Sequence, residues 1–255
     1  MSGAQQLLDL TGRTVLVTGA SGGIGGAIAK KLAQAGARII LHCSHGVDRL
    51  EPFARETGAV KSIACDLSKE ARIQSMIKGL LAEDLLPDLL VNNAAVQTLA
   101  SISEADETVW QEINGVNLGG PYALTRHVSN ALISKGRAGA FVNIASIEGL
   151  DPAENHAHYA AAKSALIMFT RASALELGKH NIRVNAVAPG LIERPGLQSE
   201  WPDGVKRWCE RAPLSRLGTG EDVANAVLFL LSPAAVWISG NTLVVDGGMS
   251  TQNRW

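Results

Sequence analysis

The sequence predicts an α/β fold, a single domain built on a doubly wound parallel sheet of about seven strands flanked by helices. Three observations carry that prediction. Short β-branched runs alternate with segments of helical apolar spacing. Many of the 26 glycines fall at the joints between them. No Ser/Gly linker, repeat or low-complexity tract divides the 255 residues. Alternation of this kind requires right-handed crossovers, and therefore a parallel sheet.

Taken in order, residues 13–19 form a β-branched strand ending in glycine, and 24–35 carry helical spacing that Gly36 stops. The unit repeats with a strand at 37–42, a helix at 47–57, a strand at 60–65, a helix at 69–82 and a strand at 89–91. Residues 105–116 and 122–134 read as two helices, 140–145 as a strand, 159–178 as a long alanine-rich helix and 183–187 as a sixth strand. Pro189, Pro195, Pro202 and Pro213 interrupt short apolar pieces between 189 and 219, which predicts a mobile lid at about 190–217. A helix at 221–231 and a strand at 243–245 complete one domain spanning 1–255.

Composition narrows the function. Lys plus Arg at 23 against Asp plus Glu at 24 leaves a net charge of -1, so no basic field draws a nucleic-acid backbone or an anionic membrane. Three scattered cysteines make neither a disulfide framework nor a metal motif, which points to a reducing compartment. Residues 1–10 lack the pattern of a secretory signal, and the apolar stretch 223–238 is too short to span a bilayer. A cytoplasmic protein is the expectation.

Two constellations carry chemistry. Thr18-Gly19-Ala20-Ser21-Gly22-Gly23-Ile24-Gly25 lies on a strand-to-helix turn, where glycines let a pyrophosphate approach backbone N–H groups at the positive end of a helix. By itself such a turn also suits a methyltransferase loop holding adenosylmethionine, or no ligand at all. Tyr159 and Lys163 stand at i and i+4, which puts a phenol and an ammonium on one helix face. A nearby cation favours phenolate and would move the tyrosine toward a pKa suited to proton transfer.

Together with Asp66-Leu67, Asn92-Asn93-Ala94, Asn117, Ser146 and Pro189-Gly190, these motifs resemble, in order and spacing, the single-domain short-chain dehydrogenase/reductase family. The resemblance covers almost the whole chain and implies a Rossmann fold, a nicotinamide cofactor and a secondary alcohol or ketone as small-molecule substrate. It implies that Tyr159 is the acid/base, that Lys163 binds the nicotinamide ribose and holds down the phenol pKa, and that Ser146 stabilises charge on the substrate oxygen. Asn117 would hold a helix bend and a water linking Lys163 to solvent. Gly19, Ser21, Gly23, Ile24, Gly25, Ser44, Asp66, Leu67, Asn93, Pro189 and Gly190 would complete the cofactor site with Tyr159 and Lys163. No metal is expected, and His156 and His158 read as solvated loop residues or as substrate contacts.

The chain departs from the family pattern at several points. Ala95 stands where glycine is common. Cys43 occupies the place where NAD-preferring relatives carry an acid, while the arginines frequent in NADP-preferring relatives are missing from the glycine loop and from the residues just after the second strand. NADP(H) is the favoured cofactor, with NAD(H) as the alternative. Arg194 replaces a threonine that meets the nicotinamide carboxamide. Trp201 and Trp208 suit either a cover over an apolar substrate or packing of the lid. A catalytically silent regulatory protein of the same fold is the rival reading, which intact Ser146, Tyr159 and Lys163 oppose. The family also implies a homotetramer, assembled through helices at 105–134 and 159–178.

Overall fold

The computed structural model describes residues 3–251. Seven strands form one parallel sheet in the order β3-β2-β1-β4-β5-β6-β7. They are β1 (Thr14–Val17), β2 (Arg38–Cys43), β3 (Lys61–Ala64), β4 (Leu89–Asn92), β5 (Gly139–Ile144), β6 (Ile182–Pro189) and β7 (Thr242–Val245), with a short helix α1 (Gly3–Leu7) ahead of β1. The order reverses between β1 and β4, which pair from Val15 opposite Leu89 to Val17 opposite Val91. Ligands in open α/β sheets bind beyond the carboxyl ends of the strands at such a reversal.

Because successive side chains on a strand point to opposite faces, the sheet feeds two cores. Val15, Val17, Ile39 and Leu41 pack with Ile28 and Leu32 of α2 (Gly23–Gln34) and with Val223 and Val227 of α10 (Gly220–Leu231). Leu16, Ile40, Leu90 and Phe141 face the other way, onto Ile73 and Ile77 of α4 (Glu70–Ala82) and Leu124 and Val128 of α6 (Gly120–Ser134). Strands buried on both sides read as continuous apolar runs, which is why 13–19 and 37–42 stand out in the sequence.

Three segments differ from expectation. The helices expected at 105–116 and 122–134 join into one rod: α5 (Glu107–Asn114) passes through a π turn (Gly115–Gly119) directly into α6. A π turn leaves no mark on apolar periodicity beyond a one-residue slip, so the sequence shows it as a gap. The helix expected at 47–57 is a 3-10 turn (Val47–Leu50) followed by α3 (Glu51–Thr57). The proline-rich stretch holds two short helices, α8 (Leu197–Glu200) and α9 (Pro202–Arg211), anchored through buried Leu197, Val205 and Ala212.

The start of α10 is secured by a capping box. The Thr219 hydroxyl accepts the Asp222 N–H, and an Asp222 carboxylate oxygen accepts the Thr219 N–H in return. Arg216 also pairs with that carboxylate and holds its pKa well below the usual range. Thr219→Ala should cost about 1 kcal/mol of unfolding free energy. The denaturant midpoint should fall with the slope unchanged.

Candidate active site

The expected site residues gather at the carboxyl end of the sheet, on the loops leaving the strands and on the helices that pack beside them. After β1, the glycine loop turns at Gly19, whose φ of 65° lies in the left-handed region. A Cβ on Gly19 would lie 2.8 Å from Ala94 Cα, and one on Gly25 only 2.2 Å from the Gly19 carbonyl oxygen. Loop, helix and β4 therefore touch backbone to backbone. By contrast, Gly23 meets nothing within 4 Å, and Gly22 offers α2 no side-chain cap. The first turn of α2 thus presents N–H groups to open space, which fits a pyrophosphate.

The loop is held from three directions. Thr18 Oγ1 donates to Val91 O at 3.1 Å and accepts from Asn93 N and Ala94 N at 2.9 and 3.0 Å. Asn93 Nδ2 donates to Thr18 O and Gly19 O at 2.8 and 3.2 Å. The Asn93 amide nitrogen is therefore engaged with the loop. His42, buried in β2, takes the remaining side. Its backbone oxygen accepts the Ala20 N–H at 2.9 Å, and its Nδ1 accepts the Gly19 N–H at 3.4 Å. Nε2 donates to Cys65 O at 2.8 Å, which fixes the tautomer, and burial lowers the pKa of the ring so that it stays neutral.

At the end of β2, Cys43 is buried while Ser44 is exposed, its hydroxyl 2.8 Å from His45 Nδ1. Arg49 in the following 3-10 turn lies close enough for its charge to act on the Cys43 thiol, although burial dominates and pushes that thiol up. The sequence reading passed over Arg49. Its signal is Gly46, which takes a left-handed φ of 66° and turns the chain back toward β2. After β3, Asp66 Oδ1 accepts from Ser68 N and Oγ at 2.9 and 2.8 Å, bonds that lower its pKa. The Leu67 side chain lies in the core, so only its backbone is free to meet a cofactor.

Asn117 sits within the π turn, fully buried. Both ends of its amide are used by one residue: Nδ2 donates to Val96 O at 2.8 Å and Oδ1 accepts from Val96 N at 2.9 Å. A water held here would therefore rely on backbone groups. Pro189 ends β6, and Gly190 faces the ring of Trp208, which lies 2.8 Å from the Cβ that Gly190 lacks. Trp208 thus packs α9 against the end of β6. Trp201 stands half exposed on Gly204, and Arg194 reaches across α8 to Glu200 at 2.5 Å.

Ser146 follows β5, and Tyr159 and Lys163 stand on α7 (Ala157–Leu177). All three are buried. Burial first and the Glu148 carboxylate second push the Tyr159 phenol up to about 12, against a smaller lowering by the Ser146 hydroxyl. The lysine is 5.5 Å from the tyrosine ring centroid and donates to Ile144 O at 2.8 Å. Burial brings Lys163 down to about 8. The expected drop in the phenol pKa is therefore absent from the chain alone, because desolvation of the phenol and the Glu148 charge both raise it.

The two nearby histidines are not solvated. His158 is 2% exposed, with Nε2 2.7 Å from Thr98 O. His156 Nδ1 lies 2.6 Å from Glu148 Oε2. Among the described residues no group of His, Cys, Asp or Glu is placed to hold a metal.

This arrangement has close counterparts. A family model described as enoyl-(acyl carrier protein) reductase matches residues 19–250. The 3-oxoacyl-[acyl-carrier-protein] reductase FabG of Chlamydia trachomatis is 37% identical over 94% of this chain and 98% of its own. The L-xylulose reductase of Bos taurus is likewise 37% identical, over 94% of this chain and 98% of its own. The gluconate 5-dehydrogenase of Burkholderia cenocepacia, solved with NADP and tartrate, superposes with a TM-score of 0.91 at 30% identity, covering 98% of this chain and all (100%) of its own. The chain belongs to the short-chain dehydrogenase/reductase family and is an NAD(P)-dependent oxidoreductase.

Proposed function

We propose that the chain interconverts a ketone and a secondary alcohol, with NADP(H) as the preferred coenzyme and NAD(H) as the weaker alternative. The observation that carries this reading is the buried cluster of Ser146, Tyr159 and Lys163, in which Lys163 lies over the phenol ring. A bound nicotinamide would supply or accept the hydride at the substrate carbon. Ser146 holds the substrate oxygen and stabilises the charge that grows there. Tyr159 delivers its proton to that oxygen in reduction and recovers it in oxidation. Lys163, whose ammonium has donors to spare beyond Ile144, holds the ribose hydroxyls, and Asn117 sets the helix bend beside it. Gly19, Ser21, Gly23, Ile24 and Gly25 receive the pyrophosphate, while Asp66, Leu67 and Asn93 flank the adenosine half, with Pro189 and Gly190 beside the nicotinamide. With its pKa raised, the phenol keeps its proton at neutral pH, the state required for ketone reduction.

The end of β2 favours a 2'-phosphate. No carboxylate stands at Cys43 to repel one, the Arg49 charge is at hand, and Ser44 and His45 are exposed for hydrogen bonds. Residues 190–217 serve as a lid over the substrate. A silent regulatory protein would have no use for a buried ammonium, which is costly to maintain.

Assembly as a homotetramer is supported by two separate apolar patches. Trp110, Leu118, Tyr122 and Phe169 line an open groove across α5, α6 and α7, with Trp110 and Tyr122 half exposed. Val236, Trp237 and Val244 crop out near the β7 edge of the sheet, with Trp237 97% exposed. Two such patches suffice for two isologous interfaces, which close a tetramer. Three free cysteines and no helix among the described residues long and apolar enough to cross a membrane fit a cytoplasmic location.

Three outcomes are expected. Tyr122 and Tyr159 are the only tyrosines, so the ultraviolet titration of wild type minus that of Tyr159→Phe isolates Tyr159. In the chain without cofactor its phenolate should appear only near pH 12. Tyr159→Phe should lower kcat/KM for ketone reduction by about a hundredfold or more with NADPH affinity kept, and wild type should favour NADPH over NADH. Retained turnover would remove the proton donor from the scheme. Light scattering should give four times the 26.8 kDa chain mass, whereas a stable monomer would contradict the interfaces.

A further inference from the structure

Glu148 and His156 form a pair that the proton-transfer scheme does not use. Their side chains are 19% and 13% exposed, and they meet through a contact of 2.6 Å between Oε2 and Nδ1. Each is tied to a different group of the reacting centre. The Glu148 N–H donates to Ser146 Oγ at 3.1 Å, and the Glu148 carboxylate acts electrostatically on the Tyr159 phenol. The His156 ring lies 6.0 Å, centroid to centroid, from the ring of Tyr159. The pair therefore borders the place where the substrate oxygen is held.

The pair also leaves a valence unused. His156 Nε2 is buried and has no hydrogen-bond partner among the described residues. Glu148 occupies Nδ1 and orients the ring, so Nε2 is the atom left to bond, as an acceptor on the neutral ring or a donor on the protonated one. A buried polar atom without a partner costs about 1 to 3 kcal/mol, a cost that a ligand group could remove. A hydroxyl suits the vacancy because it both donates and accepts. A carboxylate suits it poorly, since Glu148 already places a negative charge there. An alkyl chain would leave Nε2 unsatisfied.

Resting on the ketone/alcohol reading of the site, we infer that Glu148 and His156 are specificity-determining residues that select a neutral substrate carrying a hydroxyl next to the reacting carbon. His156 Nε2 bonds that hydroxyl, and Glu148 orients the ring and disfavours an acid at the same place. The substrate class is an α-hydroxy ketone and its vicinal diol, in preference to a simple ketone, a keto acid or an acyl ketone. Sites built to hydrogen-bond a substrate group discriminate strongly against analogues that lack it.

The test compares 2-hydroxycyclohexanone with cyclohexanone, using NADPH and the full chain. Wild type should show kcat/KM at least about tenfold higher for the hydroxy ketone, and His156→Phe should bring the ratio to within about twofold of one. The nitrogen NMR signal of His156 Nε2 in the wild-type NADP complex should move on adding the hydroxy ketone and stay in place with cyclohexanone, which covers the case of a variant that does not fold. Turnover of both ketones with a ratio near one, a ratio that survives His156→Phe, or an unmoved Nε2 signal would overturn the inference while leaving the oxidoreductase intact. Absence of turnover with either ketone, with NADPH bound, would defeat the ketone/alcohol reading and the inference with it.

Discussion

A single hydroxyl holds together the point on which the site depends. Thr18 leaves β1 where the strand order reverses, and its Oγ1 bonds Val91, Asn93 and Ala94 at once. Reversal opens a crevice between the helices on the two faces of the sheet, but a crevice alone has no defined floor. Thr18 fixes the end of β1 to the end of β4, Asn93 returns two bonds to the carbonyls of Thr18 and Gly19, and Gly25 brings α2 against the same carbonyl of Gly19. The N–H groups at the head of α2 thereby gain a fixed direction, which is what anion binding at a helix end requires.

The catalytic side is fixed by a different device. Asn92 on β4 donates to Asn143 on β5 at 2.8 Å, and Asn143 donates to Thr170 on α7 at 2.9 Å. This buried relay fastens the helix bearing Tyr159 and Lys163 to the same strands that position the cofactor crevice. Buried hydrogen-bonded relays of this kind favour one packing arrangement. They also allow a lysine to be buried against Ile144, with its pKa reduced to about 8, without loosening the surrounding structure. The two devices meet at β4, which places the proton donor and the cofactor crevice in one frame.

Legibility in the sequence followed physical scale. Strands buried on both faces show as apolar runs, and the glycine loop shows because only glycine lets backbones approach so closely. The expected site residues all reach the carboxyl end of the sheet. What the sequence hid are effects decided by burial. The Tyr159 phenol rises where the adjacent Lys163 suggested a fall, because spacing carries no information on desolvation. His42 reads as one polar residue in a strand, yet it bonds two successive N–H groups of the loop. His156 and His158 read as loop histidines because their partners, Glu148 and Thr98, are remote in sequence. Sequence also split the rod formed by α5 and α6 at the π turn that Asn117 occupies.

If the hydroxyl of Thr18 is the clasp of the site, Thr18→Val, which keeps the shape and removes the bonds, isolates it. Calorimetric titration of NADPH into wild type and variant is the direct measurement. The affinity should fall by about tenfold or more, consistent with losing hydrogen bonds of about 1 kcal/mol each, while the circular dichroism spectrum of the fold is retained. An unchanged affinity in a folded Thr18→Val protein would show that the crevice is shaped without the clasp, and would contradict the account at its base.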